Sequence, residues 1–228
     1  MTQSWFITGT DTGVGKTQVS AALLTALVRN GRRAVGMKPV ASGCKQTAQG
    51  LESEDVQILR AAGNVRGLEA SLNPYAFATA TAPHLAAATA RAPIYIGVIE
   101  AHYQRLAARA EHVVVEGIGG WLVPINSRQT MADVARALDL PVILVVDVRL
   151  GSFNHALLTA QAIAASGCRL VAWVANNTHD SAPEGYRAGL VAHLEVPLLG
   201  ELPCSNALEV LADSLDLSCI GAGSTAGG

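Results

Sequence analysis

The chain has 228 residues, half of them apolar and 15% charged, with a formal net charge of −2. That composition supplies a core for one α/β domain and excludes a globally disordered chain. It also lacks the basic footprint of a nucleic-acid binder, because Arg32 and Arg33 form the only adjacent basic pair.

The chain opens with an apolar strand, "SWFIT" (4–8), followed by the glycine-rich stretch "GTDTGVGKT" and a helix over 16–30. "RAVGMKPV" (33–40) reads as a second strand, with a helix over 53–63. Residues 66–94 fit less well: "NPYAFATATAPHLAA" is turn-rich at first and then helical. This segment is expected to be an insertion between central strands and a wall of a substrate pocket. A helix over 95–110 leads to the strand "HVVVEG" (112–117), then a helix over 130–138. "PVILVVDV" (141–148), a helix over 153–166, "RLVAWVAN" (169–176), a helix over 183–193, "PLLGEL" (197–202) and a helix over 206–212 complete the series. The closing "GAGSTAGG" is small and featureless, and a flexible tail is expected from about residue 213 to 228.

Several of these strands are apolar throughout, as parallel strands covered on both faces must be. Their alternation with helices predicts a doubly wound, mainly parallel α/β sheet in one domain over 1–228. Ligands of such sheets gather at the carboxyl ends of the strands. The cysteines Cys44, Cys168, Cys204 and Cys219 form no CxxC pair and read as free thiols. The six histidines lack the spacings of a zinc site. The N-terminus lacks the layout of a signal peptide, and the longest apolar run is too short to cross a bilayer. A soluble cytoplasmic protein with no membrane partner is expected.

The first loop carries the chemistry. The strict phosphate-loop pattern GxxxxGK[ST] is met at Gly15-Lys16-Thr17 but misses its first glycine: Thr10 stands there, and Gly9 comes one residue earlier. The physical parts are nonetheless present. Gly9, Gly13 and Gly15 let backbone N–H groups turn inward, and the helix that follows aims its positive end at the same anion. Lys16 can neutralise phosphate oxygens, and the Thr17 hydroxyl can ligate Mg²⁺. Mg²⁺ also wants carboxylates. Glu116 ends the buried strand "HVVVEG", where an unpaired charge would be costly. Asp55, in "LESEDVQILR", is either a second metal ligand or one of three acids favoured at a helix N-terminus. Lys38, at the carboxyl end of "GMKPV", is either a second cation for a transferring phosphoryl group or an ordinary strand-end lysine.

Together "FITGTDTGVGKT", "GMKPVASGC", "VVVEGIGGWLVP", "LPVILVVDVRLGSFNHALLTAQAI", "WVANN" and "PLLGELP" resemble dethiobiotin synthetase, a P-loop NTPase-type enzyme of biotin synthesis. The likeness runs in order from residue 5 to about 203. It implies an ATP- and Mg²⁺-dependent cyclo-ligase that joins CO₂ to 7,8-diaminononanoate through a carbamate and a carbamic–phosphoric anhydride.

By the family's motif, Lys38, Lys16 and Thr12 would be catalytic, and Thr17, Asp55 and Glu116 would surround Mg²⁺. Gly13, Val14, Gly15, Lys16, Thr17 and Gln18 would wrap the ATP phosphates, joined by Asp55, Glu116, Gly117 and Gly119. Asn176 and Asn177 would meet the adenine, with Pro203, Cys204 and Ser205 lining the same base pocket. Ser42 would help place the diamine. Gly13 marks a departure, since some members carry glutamate there.

In "DVRLGSFNHALLTAQ" a helix begins after Gly151-Ser152, and its free N–H groups can form an anion site or be capped by Ser152 or water. The resemblance implies a homodimer in which Gly151, Ser152, Phe153, Asn154 and Tyr186 meet the far carboxylate of the partner's substrate. Two rival readings are less well matched. A partition-type ATPase needs an early loop lysine, where this chain has Gly9, Thr10 and Asp11. An amide-forming relative from corrinoid synthesis needs a glutaminase domain for which the chain has no room. A nucleotide-binding sensor without turnover is separated from these by assay.

Overall fold

The computed structural model describes residues 2–48, 50–177 and 184–221. In chain order the elements are β1 (Gln3–Gly9), α1 (Lys16–Arg29), β2 (Ala34–Met37), β3 (Val40–Ser42), β4 (Lys45–Thr47) and β5 (Gly50–Glu52). There follow α2 (Glu54–Ala62), α3 (Glu69–Leu72), β6 (Tyr75–Phe77), α4 (Pro83–Ala90), α5 (Ile96–Ala107), β7 (His112–Glu116) and α6 (Met131–Ala137). The remainder are β8 (Val142–Asp147), α7 (Ser152–Ala165), β9 (Leu170–Asn176), α8 (Tyr186–His193), β10 (Leu198–Leu202), α9 (Leu208–Asp213) and a 3₁₀ turn (Leu217–Ile220).

Six strands form one sheet in the order β10-β9-β8-β1-β7-β2. Every neighbouring pair is parallel. The apolar runs alternate strictly between its faces, as a period of two requires. Trp5, Ile7, Val114, Ile143, Val145, Ala172 and Val174 face the side covered by α1 and α9. Phe6, Val113 and Val115 face α5 and α6, and Leu144, Val146, Trp173 and Ala175 face α7 and α8. With β7 on one side of β1 and β8 on the other, the loop after β1 opens into the crevice of a doubly wound sheet. Among the described residues no helix is long and apolar enough to cross a membrane.

Three elements differ from expectation. The second strand does not run through residue 40: it stops at Met37, and Pro39 cannot donate to a ladder. The chain resumes as β3, which pairs in parallel with β6 from the 66–94 insertion. The hairpin β4–β5 has too few residues for a pattern to show. The tail expected from about residue 213 is part of the fold as far as residue 221. Leu217 and Ile220 pack into the α1 side of the core, Leu215 bridges Gly200, and Asp216 accepts from the Ser218 N–H. Residues 222–228 lie outside the described residues, as does the start of the helix expected over 183–193.

Candidate active site

The loop between β1 and α1 is built on two left-handed glycines, Gly13 at φ 79° and Gly15 at φ 88°. Gly15 is also the N-cap of α1, and no side chain caps that end. The first N–H groups of the helix are therefore free for an anion. Thr12 N–H bonds Asp11 Oδ1 at 2.7 Å, and Lys16 Nζ folds back onto the Asp11 carbonyl at 2.7 Å. Beneath the loop, Val14 points into the core and contributes its backbone. Asn176 Nδ2 donates to the Val14 carbonyl at 2.9 Å.

Opposite stands a compact charge cluster. Glu116, wholly buried at the end of β7, accepts at Oε1 from Lys38 Nζ (2.6 Å) and from Thr17 Oγ1 (2.8 Å). Lys38 Nζ also meets Asp55 Oδ2 at 2.7 Å. Burial opposes the Lys38 charge, but the Glu116 and Asp55 carboxylates outweigh it and hold the ammonium above the usual lysine range. Burial likewise opposes the Asp55 charge. Lys38, with a hydrogen bond from Thr17, nevertheless takes Asp55 below the usual carboxylate range. Lys16 goes the other way: burial first, and the Lys38 charge second, lower it to about 8.

Thr12, Gly13, Gly15, Lys16, Thr17, Gln18, Lys38, Ser42, Asp55, Glu116 and Gly119 share one cavity of about 550 Å³ with Ala41 and Ile118. The expected phosphate, metal and acceptor residues therefore gather in one place. Thr17, Asp55 and Glu116 offer hard oxygen donors there, and Glu116 Oε2 is buried with no partner. That donor set fits Mg²⁺. Among the described residues no cluster of three or more His, Cys, Asp or Glu forms a metal site of another kind. Gly117 lies behind the wall, its N–H on the Ile7 carbonyl at 2.9 Å, and a β-carbon there would press on the Phe6 ring.

The cavity continues into a groove of about 450 Å³ that shares Thr12, Ser42, Ile118 and Gly119 with it and is closed by Ala80, Thr81, Ala82, Pro83 and Val123. The 66–94 insertion thus supplies a wall. Its individual residues escape sequence reasoning because small apolar side chains carry no motif. A third depression, of about 220 Å³, is lined by Gln18, Asn177, Cys204, Ser205 and Asn206. Asn177 Oδ1 is buried there without a partner. Asn176 and Pro203 are not among its lining residues: Asn176 is committed to the phosphate loop and Pro203 is exposed.

The start of α7 stands apart from these cavities. Gly151 is its N-cap at φ 92°, no side chain caps it, and Ser152 Oγ is buried without a partner. Asn154 is exposed. Phe153 packs 4.9 Å from Tyr186 with the rings tilted by 56°, so both rings also tie α7 to α8.

The family model described as "AAA domain" matches residues 3–210. The chain is 46% identical over 216 residues to the ATP-dependent dethiobiotin synthetase BioD of Xanthomonas oryzae pv. oryzae strain PXO99A, covering 94% of this chain and 96% of that one. It is 44% identical over 235 residues to the protein of the same name from Pseudescherichia vulneris, covering 100% and 97%. Among solved structures, the septum site-determining protein MinD of Pyrococcus horikoshii complexed with Mg-ADP shares the fold with a TM-score of 0.55 at 16% identity, over 97% and 89% of the two chains. The cell division protein FtsY of Thermotoga maritima does so with 0.56 at 15%, over 96% and 67%.

Proposed function

The chain belongs to the ATP-dependent dethiobiotin synthetase family, and from that premise we propose that its cleft phosphorylates a carbamate and closes a cyclic urea. One amine of 7,8-diaminononanoate adds to CO₂: a C–N bond forms, a proton leaves, and a carbamate results. A carbamate oxygen then takes the γ-phosphoryl group of ATP, the β–γ bridging P–O bond breaks, and ADP departs. The second amine attacks the carbonyl carbon of that anhydride. A C–N bond forms, the C–O bond to phosphate breaks, phosphate leaves with the electron pair, and the attacking nitrogen loses a proton. The product is dethiobiotin.

The observation that carries this reading is Lys38. Its buried ammonium is kept charged by Glu116 and Asp55 in the same cavity as Lys16. A carbamate and a triphosphate repel each other, and two fixed cations offset that repulsion while the charge on the transferring group develops. Lys16 and the free N–H groups of α1 hold the phosphates, with Thr12 at the junction between loop and groove. Thr17, Asp55 and Glu116 would hold Mg²⁺, which supplies charge neutralisation along the triphosphate. Ser42 and the groove beside it suit the diamine and its aliphatic chain. The partnerless Asn177 Oδ1 beside Gln18, Cys204 and Ser205 suits the adenine amino group.

We further propose a cytoplasmic homodimer, the chain acting as one domain, in which the uncapped start of α7 receives the substrate carboxylate of the partner subunit. The support is the first turn at Gly151, Ser152, Phe153 and Asn154, beside Tyr186, which no side chain caps although Ser152 N–H is taken up by the Arg149 carbonyl, and the apolar side chains Leu150 and Leu158, 79% and 57% exposed around it.

The test is incubation with ATP, Mg²⁺, bicarbonate and the diamine, assaying ADP and the cyclic urea. ADP should form only when both diamine and CO₂ are present. Rapid ADP release without them would mark a plain ATPase.

A further inference from the structure

We infer that Asn73 is a positioning residue for Lys38, its side-chain amide holding the backbone carbonyl of that residue. The sheet gives Lys38 no support on one flank, because β2 is an edge strand and ends at Met37. Support comes from the segment before β6. Lys38 N–H donates to the carbonyl of Leu72, the last residue of α3, at 2.7 Å.

Asn73 Nδ2 donates to the Lys38 carbonyl at 2.6 Å and to the Tyr75 carbonyl at 3.1 Å. Tyr75 N–H donates to the Pro39 carbonyl at 3.2 Å, where the β3–β6 ladder begins. The peptide plane that follows Lys38 is thereby fixed, and with it the direction in which the side chain leaves towards Glu116 and Asp55. Without the amide a half-buried carbonyl loses its partner, and that plane can rotate.

The inference rests on the proposed part of Lys38 in turnover, so Lys38→Ala is measured alongside. Lys38→Ala should lower kcat about 10²–10³-fold. Asn73→Ala should lower kcat about tenfold, since small misplacements are felt at a transition state, while the KM for ATP stays within about twofold. Asn73→Asp keeps the side chain's size without the donor. It carries the same expectation should Asn73→Ala not fold.

If Lys38→Ala keeps its rate, the reading of Lys38 fails. If Lys38→Ala loses its rate but the Asn73 variants keep theirs, the positioning role fails. It fails equally if ATP affinity and kcat fall together.

Discussion

Lys38 Nζ and Glu116 Oε1 lie 2.6 Å apart, and the two side chains are 4% and 0% exposed. Removing one member of a buried pair leaves the other charge uncompensated, at about 3–5 kcal/mol. Lys38 keeps Asp55 as a second partner, so Glu116→Gln should cost about 3 kcal/mol, the lower end of that range. For a chain of this length that lowers Tm by roughly 6–12 °C. Thermal unfolding at neutral pH checks it, and the double variant Lys38→Met with Glu116→Gln should lose less than the sum of the singles. An unchanged Tm in Glu116→Gln would mean that the pair is not coupled.

The lowered pKa of Lys16, about 8, gives nucleotide binding a pH dependence. ATP favours the ammonium, so the bound enzyme holds the proton to higher pH than the free enzyme. Below about pH 8 affinity should be flat. Above it, affinity should fall roughly tenfold per pH unit, with uptake of up to one proton on binding. Calorimetry in buffers of different ionisation enthalpy reads that uptake. Lys16→Arg should abolish it, since arginine stays charged. For folding, the unfolded chain holds the proton more tightly than the folded one. Burying Lys16 therefore costs stability below about pH 8, and the cost fades as pH rises towards 10.5.

Gly13 and Gly15 share the left-handed conformation, yet their substitutions should differ. A β-carbon on Gly13 would meet nothing within 4 Å, whereas one on Gly15 would lie 1.9 Å from Asn176 Nδ2. Gly13→Ala therefore carries only the conformational cost, about 1–2 kcal/mol. Gly15→Ala must also dislodge the Asn176 amide from the Val14 carbonyl. ATP titration should show Gly13→Ala within about thirtyfold of wild type and no measurable binding by Gly15→Ala. Equal behaviour would show that Asn176 does not brace the loop.

Much of this was legible in the sequence. Runs such as "VILVVD" are apolar on both faces because helices cover both sides of the sheet, and so they stand out. Thr17 and Glu116 announce themselves by motif and by the cost of a buried charge. Their meeting at one oxygen with Lys38, 78 positions from Glu116, depends on three strand ends converging, which only the topology decides. The three-residue strands β3 and β6 show no periodicity, and their pairing comes from the insertion folding back. Asn73 gives no signal at all, because its partner is a backbone carbonyl. The span 215–220 reads as tail because three buried residues, Leu215, Leu217 and Ile220, are too few for a pattern.

The shared-site proposal predicts complementation. Gly151 sits at φ 92° with open space around it, so Gly151→Val acts on the backbone of the α7 start and not through a clash. Mixed with Lys16→Ala, it should regain up to about a quarter of wild-type sites as exchange forms heterodimers with one intact composite site. Folding and subunit exchange are shown separately by thermal melts and by mass spectrometry of tagged chains. Zero activity after proven exchange, or an active monomer in sedimentation, would refute it.

The central claim is that the phosphoryl acceptor is a carbamate oxygen. That oxygen originates in CO₂ and stays on phosphorus when the ring closes. With ¹⁸O-labelled CO₂ in unlabelled water, and turnover fast relative to hydration exchange, mass spectrometry of the released phosphate should find one ¹⁸O per phosphate, with the second label in the cyclic urea carbonyl. Unlabelled phosphate, its one new oxygen taken from water, would contradict the account.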